Sequence, residues 1–182
     1  MICKVKPIQK PKQKTIKKVR VNKEAIFNQT FEFLKKANIN IKTIDKERPW
    51  GGFFVIDDSG AEAFVELFFP TIDKAELTKG KISPKILLVE PQKKLSWQYH
   101  NRRAEIWKLL EGDAGIVRSN SNEQTPMQNM NIGEIVRLHQ GERHRLVGLE
   151  EWGTIAEIWL HTDPETPSDE EDIIRVSDDF GR

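Results

Sequence analysis

Ser96-Trp97-Gln98-Tyr99-His100-Asn101-Arg102-Arg103-Ala104-Glu105-Ile106-Trp107 is the densest run of chemistry-bearing side chains in this 182-residue sequence. Read as a strand, its first part puts Gln98 and His100 on one face, because alternate strand residues share a side. The polar stretch 101–104 then turns the chain, and Glu105 opens the next antiparallel strand, aimed at the same point. His144 opens another strand after the turn Gln140-Gly141-Glu142-Arg143. Two imidazoles, a carboxylate and an amide oxygen form an N/O set suited to Zn²⁺, Fe²⁺, Mn²⁺ or Ni²⁺. Coordination positions left open to substrate would make such a site catalytic. The competing reading is a set of hydrogen-bonding histidines on a strand rim. His139 and His161, which have no partners in the sequence pattern, read that way.

The segments on either side carry mostly the period of strands. Phe53-Phe54-Val55-Ile56 ends at the turn cluster Asp57-Asp58-Ser59-Gly60. Further strands are expected at 65–69, 85–90, 94–100, 105–111, 114–118, 134–138, 144–147 and 154–161. Short strands with turn signals about every 8–12 residues predict an all-β sandwich or barrel. A short helix fits residues 73–79, and the acidic stretch 163–172 reads as a surface connection. Upstream, Asn22 is a plausible N-cap, Ile26, Phe27, Phe31 and Leu34 recur at helical spacing, and Lys35 and Lys36 suit a last turn. This predicts one amphipathic helix packed on a larger body.

Composition sets the outer limits. Hydrophobic residues make up 37% and charged residues 31%, enough for one core. Apolar runs such as Ile86-Leu87-Leu88-Val89 fall well short of the ~20 residues of a membrane helix. No secretory-signal pattern stands out. The single cysteine, Cys3, excludes an intramolecular disulfide framework and a cysteine-based zinc knuckle. A cytoplasmic protein is expected. The net charge of +1 conceals a division: residues 1–48 hold 14 Lys and Arg against 4 Asp and Glu, whereas residues 49–182 hold 15 against 24. The expected organisation is therefore a basic arm and amphipathic helix over 1–46 and a β domain over 47–182. The arm lacks interleaved aromatics, so it reads as a solubilising tail or an arm packed on the protein's own acidic surface, with binding of nucleic acid or an acidic partner as the weaker alternative.

Gln98-x-His100-x-x-Arg103-x-Glu105-x-Trp107, with Gly112 and Gly141-x-x-His144-Arg145-Leu146, resembles the two cupin motifs of type II mannose-6-phosphate isomerases. Those isomerase domains are often fused behind a mannose-1-phosphate guanylyltransferase. Glu47-Arg48-Pro49-Trp50-Gly51 is similar to the family's entry motif. Glu171-Asp172-Ile173-Ile174-Arg175, with Asp178 and Phe180-Gly181-Arg182, is similar to its C-terminal signature. The resemblance covers about residues 47–182 and implies a cupin, a jelly-roll β-barrel whose interior holds the metal.

The resemblance also implies roles. Gln98, His100, Glu105 and His144 become the ligands of a divalent metal, zinc first, with iron, manganese or nickel as alternatives. Arg103 stabilises the reacting sugar, and Arg145 and Arg182 bind substrate. An arginine fork suits a phosphate or enediolate oxygen; an ordinary ion pair is the alternative for each. Glu157 matches a glutamate on a late strand, and an acid among apolar strand residues needs a partner. It is one candidate for the catalytic base, a metal-bound hydroxide the other. Trp50, Trp97, Trp107 and Trp159 read as core or cavity wall.

The implied reaction is aldose–ketose isomerisation of mannose 6-phosphate and fructose 6-phosphate. Isomerisation of a pentose or heptose, and non-catalytic sugar binding, remain open beside it. Asn101 and Arg102 stand where the family often has histidines, and His139-Gln140-Gly141 replaces its proline-x-glycine. The stretch between Trp50 and the metal motif is longer than usual, and an arm and helix precede the domain. No membrane partner is expected. The helix around 22–37 suits either a homodimer contact or the covering of a strand edge within one chain.

Overall fold

Two antiparallel sheets face each other across the interior of the computed structural model, which describes residues 21–77 and 80–181. In chain order the strands are β1 (Ile41–Asp45), β2 (Gly51–Ile56), β3 (Ile82–Val89), β4 (Trp97–His100), β5 (Arg103–Glu111) and β6 (Ala114–Ser119). They continue with β7 (Gln128–Asn129), β8 (Ile135–Leu138), β9 (Arg143–Gly148), β10 (Gly153–His161) and β11 (Ile173–Ser177). One sheet has the order β1-β2-β3-β10-β5-β8, the other β11-β4-β9-β6-β7. This is the cupin jelly roll expected from the sequence.

The six-stranded sheet is covered on both sides. On its outer face Phe54, Ile86, Leu88, Ile106, Ala156 and Ile158 pack against α1 (Lys23–Lys36) and α2 (Ala61–Phe68). On its inner face Phe53, Leu87, Leu109 and Ile155 meet Ala114, Ile116 and Leu146 of the other sheet. Strands buried on two faces need apolar residues at every position rather than alternating ones. That accounts for the continuous Ile86–Val89 run.

Helix α1 starts where expected. The Asn22 side chain accepts from the Ala25 amide, and Ile26, Phe27 and Leu34 are buried. The segment after it also belongs to the sheet, since β1 pairs with β2 from Ile41↔Ile56 to Asp45↔Phe53. Residues 47–182 therefore share both a sheet and a core with residues on the other side of the expected boundary. The basic arm, residues 1–20, lies outside the described residues.

Two local expectations are corrected. The strand expected over 65–69 is instead the last turn of α2, residues 65–68, with Phe69 as its C-cap, because Phe64, Val65 and Phe68 are buried at helical spacing while Leu67 is exposed. The turn after His100 does not make a hairpin either. β4 pairs with β9 and β11, whereas β5 pairs with β10 and β8. The chain crosses from one sheet to the other, so His100 and Glu105 approach the same point from opposite walls. The short helix expected near 73–79 is α3 (Lys74–Leu77). No described helix is long and apolar enough to cross a membrane.

Candidate metal centre and its chamber

Strand register builds the site. On the inner face of the six-stranded sheet one row runs Lys85 (β3), Glu157 (β10), Trp107 (β5), Val136 (β8). The next runs Ser83, Trp159, Glu105, Leu138. From the facing sheet, Gln98 on β4 pairs directly with His144 on β9. His100 lies two residues along β4 and so shares the side of Gln98.

His100, Glu105 and His144 converge: all three are buried, and one ligand atom from each lies within 4.8 Å of the others. Glu105 Oε1 is 3.1 Å from His100 Nε2, Glu105 Oε2 is 3.3 Å from His144 Nε2, and the two Nε2 atoms are 3.3 Å apart. The opposite ring nitrogens fix the tautomers. His100 Nδ1 faces the Asp172 carbonyl at 3.3 Å and His144 Nδ1 faces the Glu142 carbonyl at 3.0 Å. A carbonyl only accepts, so each Nδ1 carries the proton and each Nε2 turns a lone pair inward. Arg103 meets Glu105 Oε1 and His100 Nε2, which leaves the His144 lone pair 3.3 Å from Glu105 Oε2, a contact that a cation held by the three side chains would relieve. Imidazoles steadied from behind by carbonyls are also the usual arrangement around a bound metal. The donor set therefore fits a divalent metal.

Gln98 lines the same chamber, its Oε1 accepting from Ser96 Oγ at 2.5 Å. Arg103 sits beside the triad, almost fully buried. Its Nε donates to Glu105 Oε1 at 2.7 Å, one terminal nitrogen faces His100 Nε2 at 3.1 Å, and the other donates to Ser168 Oγ at 2.8 Å. Its guanidinium also stacks 3.5 Å from the Trp159 ring centroid.

The acidic connection is more than the expected surface loop, because Ser168 and Asp172 are buried. Asp172 accepts from the amides of Asn101 and Arg102 and from Ser168 Oγ. It thereby holds the crossover that carries Arg103. His161 also has a structural role: Ser168 donates its amide to Nδ1, and Ser83 Oγ meets Nε2. His139 is exposed.

Two glutamates on the inner face are driven in opposite directions. Burial alone would raise the Glu105 pKa, but the charges of His100 and His144 in their protonated forms and of Arg103 outweigh it and hold the carboxyl well below the ordinary range. Burial, reinforced by the negative charge of Glu105, pushes Glu157 up to about 8. Trp107 Nε1 joins them, lying 3.1 Å from Glu105 Oε2 and 3.0 Å from Glu157 Oε1. The indole is thus a shared donor as well as a wall. Burial lowers His100 against the opposing pull of Glu105.

Arg145 is not brought into the chamber. His144 points inward, so its strand neighbour points to the other side of the sheet, where Arg145 lies buried and donates to Asp179 Oδ1 at 3.3 Å. The strand period already carried that information. Arg182 lies outside the described residues.

Besides Arg103, the chamber is lined by Arg48, Arg175 and a buried lysine, Lys85, for which the sequence pattern assigns no role. It is 5% exposed, opposite Glu157, with Nζ 3.2 Å from the Trp159 ring centroid and 3.0 Å from Glu170 Oε1. A lone charge in Pro84-Lys85-Ile86-Leu87 is the same signal that drew attention to Glu157. The chamber encloses about 50 Å³. Outside it lies a groove of about 970 Å³, and Phe53, Lys85, Trp159 and Glu170 line both.

Comparison with known proteins bears on the family and the fold. The model of the mannose-6-phosphate isomerase C-terminal family matches residues 62–178. No curated relative matches the sequence. Among solved structures, a mutant of Bacillus subtilis oxalate decarboxylase aligns with a TM-score of 0.52 at 10% identity, covering 76% of this chain and 30% of that one. Hazelnut (Corylus avellana) vicilin aligns with a TM-score of 0.50 at 16% identity, covering 71% and 33%. The chain thus spans about a third of the length of either protein, and at such identities the likeness is one of fold.

Proposed function

Because the chain belongs to the mannose-6-phosphate isomerase C-terminal family, we propose that it is a metal-dependent aldose–ketose isomerase of a sugar phosphate. Mannose 6-phosphate and fructose 6-phosphate are its first-choice pair. The observation that carries the reading is the buried, inward-facing His100–Glu105–His144 set with a buried arginine and a proton-holding glutamate beside it.

Isomerisation breaks the C2–H bond of the aldose and forms a C1–H bond, passing through a cis-enediol, with no net oxidation. His100, Glu105 and His144, with Gln98 as fourth member, would hold the metal, zinc first. A divalent ion there supplies Lewis-acid polarisation of neighbouring carbonyl and hydroxyl oxygens. Arg103 presents fixed N–H groups to the oxygen that gains negative charge, and its tethers to Glu105 and Ser168 mean that little reorganisation accompanies the reaction. Glu157, protonated at neutral pH, is placed to hold or return a proton, with the Trp107 indole fixing its carboxyl.

The setting assigned to it is cytoplasmic, supported by a composition with one cysteine. The test is metal analysis of the purified protein followed by an NMR isomerisation assay on mannose, pentose and heptose phosphates. Bound metal with turnover of mannose 6-phosphate is the expected result. Bound metal with no turnover of any sugar would leave a sugar-binding cupin in place of an enzyme. Protein that retains no metal would remove the central premise.

A further inference from the structure

Glu170 occupies an unusual position at the wall between chamber and groove. Its Oε1 lies 3.0 Å from Lys85 Nζ and its Oε2 lies 3.4 Å from an Arg48 terminal nitrogen. One carboxylate thus bridges a cation from the middle of β3 and one from the connection between β1 and β2. The two cations are positioned by other contacts as well. Phe53 has Lys85 Nζ 5.0 Å and the Arg48 guanidinium 5.1 Å from its ring centroid, Lys85 also lies over Trp159, and Arg48 Nε bonds Asp45 Oδ2 at 2.8 Å. Aromatic faces hold cations in place without neutralising them, so removal of Glu170 would leave both cations in position, Lys85 without its carboxylate partner and Arg48 still paired with Asp45.

The Glu170 side chain is 46% exposed, whereas that of Lys85 is 7% exposed. A buried ammonium needs a counterion, but a half-exposed carboxylate on a loop is the partner that can swing away at least cost. A chamber of about 50 Å³ has room for a water or two, well short of the ~300 Å³ and upward of small-molecule sites. A phosphorylated sugar therefore has to reach across this wall, its charged end at the wall while its carbonyl end faces Glu105 and Arg103.

We propose that Lys85 and Arg48 form the phosphate subsite of the chamber, and that Glu170 fills it as an internal stand-in which a phosphate monoester displaces. The role assigned to Arg145 and Arg182 by motif position thereby falls to two other cations. This inference rests on the isomerase reading for the identity of the ligand, but its test does not need turnover.

Inorganic phosphate is titrated into the metal-loaded protein by calorimetry at constant ionic strength, with chloride as control. Glu170→Gln removes the competing charge and keeps the shape, so phosphate should bind about tenfold tighter or better than to the unaltered protein. Arg48→Met and Lys85→Met should each lose that binding. Arg48, 26% exposed, is the safer variant should loss of the buried lysine impair folding. Phosphate titrations of Glu170→Gln and Arg48→Met that match the unaltered protein would overturn the proposal.

A second arm compares sugars: Arg48→Met should raise KM for mannose 6-phosphate and leave affinity for unphosphorylated mannose unchanged. Equal effects on both would also overturn it. Phosphate binding with the expected variant effects but no turnover would retain the subsite and discard the isomerase. Turnover of mannose 6-phosphate with KM unaltered in Arg48→Met would do the reverse.

Discussion

The space between the two sheets has two ends made from the same strands. Around Ile155 on β10 the inner face is apolar, with Leu87 and Leu109 as its cross-strand neighbours. Two residues further on, about 7 Å along the strand, the row becomes Lys85, Glu157 and Trp107, and then Ser83, Trp159 and Glu105. The backbone pairing is identical in kind; what changes is how each buried group is compensated. At the apolar end dispersion and water exclusion suffice. At the polar end every charge leans on another: Glu105 on Arg103, Lys85 on Glu170, Glu157 on its own proton. A cupin can thus devote one end of its interior to stability and the other to chemistry, with the change made by side chains alone.

Substitutions at the two ends should separate these roles. The largest effect is expected from His100→Ala, which removes one of three converging donors and should abolish both bound metal, by mass spectrometry, and isomerisation. Full activity in that variant would exclude His100 as a ligand. Glu157→Gln should keep its metal and lose about 10²–10⁴-fold in kcat. It should also change how stability varies with pH. The folded state holds the Glu157 proton from the ordinary carboxyl value of 4.5 up to about 8, while the unfolded chain releases it. Stability therefore falls as pH rises through that window, by at most about 1.4 kcal/mol per pH unit from this group. Urea melts across it should show a shallower decline in Glu157→Gln.

Trp107→Phe removes the N–H shared by the two glutamates but keeps the packing, so metal affinity should weaken about 10–100-fold with the fold intact. Leu109→Ala, at the apolar end, should have the smallest effect on chemistry. Its cost is about 2–5 kcal/mol of stability in denaturant melts, with metal content and kcat unchanged. A comparable loss of metal in Leu109→Ala would show that the two ends are not independent.

How much of this the sequence carried depends on the range of each interaction. Helix α1 and most strands were readable because capping at Asn22 and the period of burial are local. His100, Glu105 and His144 were readable because two short motifs carry them and their resemblance to known motifs spans most of the domain. Residues 65–69 were misjudged because a short apolar window with Val65 and two phenylalanines fits a strand as well as a helix. The crossover after His100 reads as a hairpin in the sequence because a polar turn says nothing about which sheet receives the next strand. The contacts of Lys85 and Asp172 are hidden in the sequence for the same reason. Their partners lie 85 and about 70 residues away, at Glu170 and at the amides of Asn101 and Arg102, and only the folded register joins them.

Asp172 and Ser168 have one more consequence, for the order in which the site is made. All four residues assigned to the metal lie between 98 and 144, so a ribosome has delivered them well before it reaches Ser168. The Ser168 partner of Arg103 and the Asp172 carboxylate that pins the 101–102 crossover arrive only with residues 168–172, and β11 then closes on β4. A nascent chain halted at residue 165 would carry every proposed ligand and still lack the buttress that sets their geometry. The geometry of the proposed metal set should consequently be completed only when residues 168–172 have folded back onto β4 and the crossover.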